Sequence, residues 1–400
     1  MSTEKYNETK KRILVICNYY LPGYKSGGSL RTIVNTIERF KDKFDFSVIT
    51  FDHDGDRIRY ETVKINEWNN INGIQVFYLS KDKITFSELR KLILNSCADS
   101  IYLNSSFSTL SLMTLVLRKL KLIPYLPVIL APEGELAEGA LQLKSAKKNV
   151  FIKFAKVTQL YKDIIWKATA EPEKQEIRKI KGSGGTILIA PNMPARHLFE
   201  NYNQDSKPVK IVGEAKMVFL SRYMRTKNLK WLLENVSGVK GKLTIDIFGP
   251  IEDFTYWKES QKTIKKLPEN IKVEYKGAVK HNEVVAKLFE YHFFILPTLG
   301  ENFGHVFIEA LSAGCPLVIS DRTPWHNLEK KHIGWDLPLE KPHQWVEVVN
   351  ECISYNQATY TISSSNARMF AKNWLEDPKV EEKTLEVLQY SLTNTLNKRL

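Results

Sequence analysis

Glu301-Asn302-Phe303-Gly304-His305-Val306-Phe307-Ile308-Glu309 sets two carboxylates at either end of a passage from loop into helix. The run His292-Phe293-Phe294-Ile295-Leu296-Pro297 before it reads as a buried strand. The run Ala310-Leu311-Ser312-Ala313-Gly314 after it reads as a helix with a glycine stop, and Cys315 to Asp321 as the next strand. A strand, a short loop and a helix start form the place where α/β proteins receive phosphorylated ligands. Glu301 is expected in the loop above the carboxyl end of the strand. Glu309 is expected on the first turns of the helix, facing the same crevice. Two acceptors so spaced suit two sets of hydroxyls on one elongated ligand.

Outward from this stretch the same alternation repeats. Strands are expected at 216–220, 243–248, 271–275, 292–297 and 316–320. Helices are expected at 228–236, 253–266, 282–290, 304–313, 342–354, 358–374 and 378–397. The first half of the chain reads likewise, with strands at 12–17, 46–51, 100–103, 127–130 and 186–190. Its helices fall at 30–40, 86–95 and 108–121. Strands alternating with helices imply an α/β fold of parallel sheets covered on both faces. Residues 200–210, Glu-Asn-Tyr-Asn-Gln-Asp-Ser-Lys-Pro-Val-Lys, are polar and read as a linker. The expected domains are therefore 1–199 and 211–377, two doubly wound units facing a cleft with ligand at their strand ends.

Composition narrows the classes. Four hundred residues with 43% apolar content suit two or three globular domains. Cys17, Cys97, Cys315 and Cys352 are scattered, with no CxxC, which fits a reducing, cytoplasmic setting better than a disulfide or zinc framework. No signal peptide is read at the start and no apolar run reaches the length of a spanning helix. The net charge of +13 is uneven: residues 1–195 carry 30 Lys and Arg against 20 Asp and Glu, the remainder 28 against 25. A basic first half suggests an anionic partner, or simply a lysine-rich solvated surface.

Two further loops point to phosphate chemistry. Gly27 and Gly28 lie between the first strand and the first helix, where glycine lets backbone approach a phosphate. An ordinary strand-to-helix turn would look the same, and the G-x-G-x-x-G pattern is absent. Arg222 and Lys227 flank a tight loop after the strand at 216–220. Cations there can neutralise a departing diphosphate, or be solvated surface charges.

Taken together, Arg222, Lys227, Glu301, Asn302, Phe303, Gly304 and Glu309 resemble the signature of retaining glycosyltransferases of family 4, which have the GT-B fold of two Rossmann-like domains. The likeness extends to Pro191-Asn192, to Thr323-Pro324-Trp325-His326-Asn327-Leu328 and to Ile333-Gly334-Trp335. The last two segments are similar to members that build bacterial surface polysaccharides. The resemblance implies that Arg222 and Lys227 contact the diphosphate of a nucleotide-sugar, Glu301 its sugar and Glu309 its ribose. The amides of Asn302, Phe303 and Gly304 would line sugar and phosphate, and the final helix, about 378–400, would pack back on the first domain. It implies a UDP-sugar first and a GDP-sugar second, a glycan or lipid-linked acceptor, no metal and no other cofactor. Rival readings are an epimerase of the same fold, which needs no acceptor, and a non-catalytic protein that binds anionic surfaces.

Three segments stay open between site and structure. Glu133, in Ala131-Pro132-Glu133-Gly134-Glu135, stands where the family often has His or Arg; it reads as a sugar or acceptor contact or as part of a polar loop. Asp52-His53-Asp54-Gly55-Asp56 resembles a metal-binding D-x-D, but a turn is the expectation and no metal is expected. Residues 144–168, with Lys144, Lys147, Lys148, Lys153 and Lys156, read as a basic amphipathic helix on an anionic membrane surface or as a helix packed on its domain. Lys119 and Lys121 extend the patch. Its aromatics lie on the apolar face, so no nucleic acid is expected as a partner.

Overall fold

The computed structural model describes residues 10–55, 57–137, 145–180, 185–196 and 207–393, with backbone alone for 145–149. The chain divides into two compact units, Met1–Met193 with Pro378–Leu400, and Pro194–Asp377.

The first unit holds strands β1 (Lys11–Ile16), β2 (Phe44–Phe51), β3 (Trp68–Ile71), β4 (Ile74–Leu79), β5 (Ser100–Asn104), β6 (Val128–Ala131), β7 (Ile165–Ala168) and β8 (Thr186–Ile189). They form one sheet in the order β3-β4-β2-β1-β5-β6-β7-β8. All neighbours run parallel except β3, which pairs antiparallel with β4. Alternation along β1 sends Leu14 and Ile16 into one core and Ile13 and Val15 into another, so both faces are covered. The helix Gly28–Phe40 buries Leu30, Ile33, Val34, Ile37 and Phe40. Each such side chain contributes about 1.5–3 kcal/mol by leaving water. The last helix, Pro378–Thr393, sets Val387 and Leu388 into the same core. Arg39 pairs with Glu381 at 3.1 Å, and Thr186 Oγ1 lies 3.0 Å from the Tyr390 hydroxyl.

The second unit holds β9 (Glu214–Leu220), β10 (Lys242–Phe248), β11 (Ile271–Gly277), β12 (Phe293–Leu296), β13 (Leu317–Ser320) and β14 (Gly334–Leu337). Their order is β11-β10-β9-β12-β13-β14, all parallel. The direction of winding reverses between β9 and β12, as it does between β1 and β5 in the first unit. Such reversals open a crevice at the carboxyl ends of the two strands.

Several elements were not expected from the sequence. The hairpin of β3 and β4 turns on Asn72-Gly73, both at positive φ, which is a usable hairpin signal. β7 hides in a lysine-rich stretch: the helix there is Ser145–Val157, and Ile165–Ala168 is a buried strand in which Lys167 is 1% exposed. The segment 144–168 is thus a helix and a strand, not one amphipathic helix. Of the polar stretch 200–210, residues 200–206 lie outside the described residues. Beyond them Lys210 is buried in the second unit and Lys207 is half-buried. Lys207 Nζ donates to Tyr291 O at 2.9 Å, and Lys210 Nζ to Ile353 O and Tyr355 O at 3.1 and 3.0 Å.

His292 directly precedes β12 and accepts from Lys216 N at 3.1 Å. Burial, then the nearby Lys210 and Lys207, bring its pKa down to about 4. The fold therefore binds it neutral, while the unfolded chain protonates near the ordinary histidine value. Stability from this site is full above pH about 6.5 and falls as pH drops toward 4, by on the order of 3 kcal/mol. Urea midpoints measured from pH 7 to pH 4 are expected to fall, and His292→Asn is expected to flatten that slope. An unchanged slope in the variant would assign the acid sensitivity elsewhere.

Candidate functional site

At the reversal in the second unit, the loops after β9 and β12 are stitched together. Leu299 N donates to Thr226 O at 2.8 Å, and Thr298 Oγ1 to the same oxygen at 3.1 Å. The β9 loop ends in a 3-10 turn, Arg225–Lys227, followed by Asn228 at φ 60°. Glu301 N donates to Arg322 O at 3.1 Å, which ties its loop to the end of β13. These bonds bring the Lys227 ammonium and the Glu301 carboxylate into direct contact, with side chains 12% and 15% exposed. The two residues come from separate strands and are far apart in sequence, so only the topology unites them.

Arg222, at the end of β9, pairs with Glu252 at 3.1 Å, both more than a third exposed. Such a pair is worth little by itself and leaves the guanidinium available for exchange. Arg225 differs: it is fixed by Asp253 at 3.2 Å and Glu259 at 3.0 Å and lies over the Tyr256 ring.

Gly304, at φ 78°, precedes the helix His305–Ser312. A Cβ there would stand 2.5 Å from the Phe307 ring, so glycine is what lets the helix start this close to its own first turn. Phe303 is buried among His305, Trp325 and Trp374, and its carbonyl accepts from Trp325 Nε1 at 2.6 Å. The segment Thr323–Trp325 thus supports the loop from below. The Phe303 ring belongs to the core, and Asn302 is half-buried beside it. Glu309 sits in the second turn, 7% exposed, with its Oε1 3.7 Å from Nδ1 of His281. The structure therefore unites Lys227 with Glu301 at one strand junction and gives Glu309 a histidine neighbour from the β11 side. His281 and Glu252 escaped the sequence reading because nothing local marks them; their partners lie on other elements.

In the first unit, Gly27 at φ 73° precedes the helix Gly28–Phe40, at the end of β1 beside the reversal. Asn104, from β5, donates to Ser29 O at 3.0 Å across that junction. Asp54 accepts from Tyr24 N and Lys25 N, both at 2.7 Å, and from Ser26 Oγ. It anchors the glycine-rich loop as a backbone cap. Asp52 meets Arg59 and His53 at 2.8 Å each. Asp56 lies outside the described residues. Among the described residues no group of three or more His, Cys, Asp or Glu is placed to hold a metal.

Glu133 takes φ 54°, and its carboxylate turns inward to 6% exposure. Asn192 Nδ2 donates to it at 2.6 Å, and Lys167 Nζ lies 3.5 Å away. Lys167 also donates to Asn192 Oδ1 at 2.6 Å. Pro191-Asn192 thus closes a buried polar triad with Glu133. Beside it Glu173 accepts from Gly134 N at 2.6 Å, and burial, then the Glu133 charge, push its carboxyl above the usual range. Glu135 holds the loop after β5, accepting from Ser106 N at 2.7 Å and Phe107 N at 3.3 Å.

Of the basic patch, Lys144 lies outside the described residues and the side chains of Lys147 and Lys148 are not described. Lys156 Nζ donates to Lys179 O at 2.7 Å. The helix shows two apolar faces. Phe151 and Ala155 pack on the core, while Val150, Phe154 and Val157 stay 68%, 59% and 84% exposed. No helix among the described residues is long and apolar enough to cross a membrane.

Residues 201–369, less than half of the chain, match the family described as Glycosyl transferases group 1. The structure of Anabaena HepE in complex with UDP and glucose is similar at TM-score 0.70 and 15% identity, over 95% of this chain and 100% of that one. Sucrose-phosphate synthase from Thermosynechococcus elongatus is similar at 0.66 and 13%, over 98% and 100%. WaaG, a glycosyltransferase involved in lipopolysaccharide biosynthesis, is similar at 0.65 and 12%, over 94% and 99%. No curated protein matches the chain. Identities this low show the fold, which is GT-B, with two parallel-sheet α/β domains. The matched segment contains Arg222, Lys227, Glu301 and Glu309, and with the fold it supports a glycosyltransferase.

Proposed function

We propose that this protein is a retaining, metal-independent glycosyltransferase of family 4. It moves a sugar from a nucleotide-sugar to a hydroxyl of a glycan or lipid-linked acceptor, in the building of a bacterial surface polysaccharide. The observation that carries this reading is the meeting of Lys227 and Glu301 at the reversal between β9 and β12, with Arg222 on the same strand end. A cation beside a carboxylate there suits a diphosphate joined to a polyol: Lys227 and Arg222 take the phosphates, and Glu301 accepts from sugar hydroxyls. Glu309 accepts from the ribose, and the amides after Glu301 line the sugar. Gly27 and Gly28, at the strand reversal of the first unit, are read as offering backbone N–H groups to a phosphate ligand.

The chemistry needs no protein nucleophile. The diphosphate leaves from the face on which the acceptor hydroxyl attacks, and its oxygen takes the hydroxyl proton. The protein contributes position and stabilisation of the charge growing on the leaving group. UDP is the first choice of nucleotide, since HepE is seen with UDP and glucose, and GDP the second. Glu133 is read as holding its loop through Lys167 and Asn192, with the acceptor meeting that loop and not the buried carboxylate.

Peripheral association with an anionic membrane rests on the exposed Val150, Phe154 and Val157 on a helix that also carries Lys153 and Lys156. A thermal-shift panel of UDP, GDP, ADP and their sugar conjugates, without metal, tests the donor. A shift selective for one nucleotide is expected, and no shift with any would sink the transferase reading. Sedimentation with vesicles of anionic or purely zwitterionic lipid tests the surface; equal partition onto both would remove the electrostatic part.

A further inference from the structure

We infer that His281 reads a ribose hydroxyl together with Glu309, and so belongs to the nucleoside-recognising part of the site. The inference rests on the donor-site reading above. His281 opens the 3-10 turn His281–Glu283, on the link leaving the carboxyl end of β11. The helix that follows, Val284–Phe289, packs against His305–Ser312, the helix that carries Glu309. Both side chains are thus mounted on packed elements and not on a free loop tip.

The geometry points to a hydroxyl. His281 Nδ1 and Glu309 Oε1 stand 3.7 Å apart, too far for a direct hydrogen bond. One oxygen atom about 2.8 Å from each can sit beside the line that joins them. A carboxylate only accepts, whereas an imidazole N–H donates. A hydroxyl does both: it gives its proton to Glu309 and receives the N–H of His281. Phosphate oxygens could use the histidine but would be repelled by the carboxylate, and a bare amine would reverse both preferences. The pair therefore selects a neutral oxygen that donates and accepts.

The test is calorimetric titration of the full chain with UDP, 2′-deoxy-UDP and 3′-deoxy-UDP, using the guanosine series where GDP binds more tightly. Wild type is expected to prefer the ribonucleotide over at least one deoxy form by tenfold or more. His281→Ala is expected to bring that preference to within twofold while leaving affinity for the same deoxy form unchanged. His281→Asn, which keeps a shorter donor, is expected to recover part of it. Equal weakening of all three ligands by His281→Ala would mean a structural role only, and the inference falls. Loss of the ribose preference in Glu309→Gln but not in His281→Ala would leave the donor site standing and remove His281 from it. Absence of nucleotide binding in wild type would overturn both.

Discussion

Lys227→Ala is expected to lower kcat by about 10²–10³-fold while weakening donor binding less than about tenfold. The ammonium is in contact with Glu301 before any donor arrives, and both side chains are mostly buried. A ground-state donor must displace that contact to gain the one with phosphate, so much of the attraction is offset on binding. The balance shifts as the glycosidic bond breaks. Negative charge then accumulates on the diphosphate, and the lysine interacts more strongly with it than with the intact ester. Arg222, paired at the surface with Glu252, is the less confined cation, and its removal should act more evenly on binding and turnover. Steady-state kinetics with a separate binding measurement on an unreactive donor analogue checks the split. An equal loss in affinity and in kcat would place Lys227 in ground-state binding and remove the transition-state role.

Much of the second unit was legible because β9, β10, β12 and β13 are largely apolar runs followed by turn residues, whereas β14 was not read as a strand. Phe293 to Leu296 and Leu317 to Ser320 are buried throughout, as parallel strands covered on both faces must be. The spacing from Glu301 to Glu309 also carried its own geometry, since a helix start between them fixes where each falls. What sequence could not show is pairing across elements. The contact of Lys227 with Glu301 follows from β12 lying beside β9, an order that periodicity does not encode. Glu133 read equally as a site residue or as part of a polar loop, and its inward turn was not legible because Lys167 and Asn192, from β7 and the residues after β8, draw it in. Lys167 itself disguised β7, because a lysine in a four-residue strand reads as an exposed position. Phe303 was expected to line the ligand through its amide; its ring, for which the sequence offered no place, packs against Trp325 and Trp374.

Gly249→Ala is expected to destabilise the second unit by about 3–5 kcal/mol, the sum of a strained backbone and a forced displacement. Gly249, the residue after β10, has φ 132°, a conformation that side chains rarely adopt. A Cβ there would stand 1.9 Å from Ser221 O and 2.6 Å from Ser221 C, at the point where β9 gives way to Arg222. Neither chain can yield cheaply. Gly249 N donates to Gly277 O at 2.9 Å, its carbonyl accepts from the Tyr275 hydroxyl at 2.8 Å, and Ser221 N is bonded to Phe248 O at 3.0 Å. Gly73 supplies the control: it also has positive φ, 86°, yet a Cβ there meets nothing within 4 Å. Gly73→Ala should therefore show the backbone contribution alone, about 1–2 kcal/mol. Urea midpoints of the two variants, measured side by side, separate conformation from overlap. Where Gly249→Ala stays folded, at low temperature, Arg222 is displaced with Ser221, and affinity for a nucleoside diphosphate should fall while Gly73→Ala keeps it. If the two alanines cost the same, the β9 loop moves freely under Arg222, and the guanidinium is not held in place by the close approach of these two strand ends.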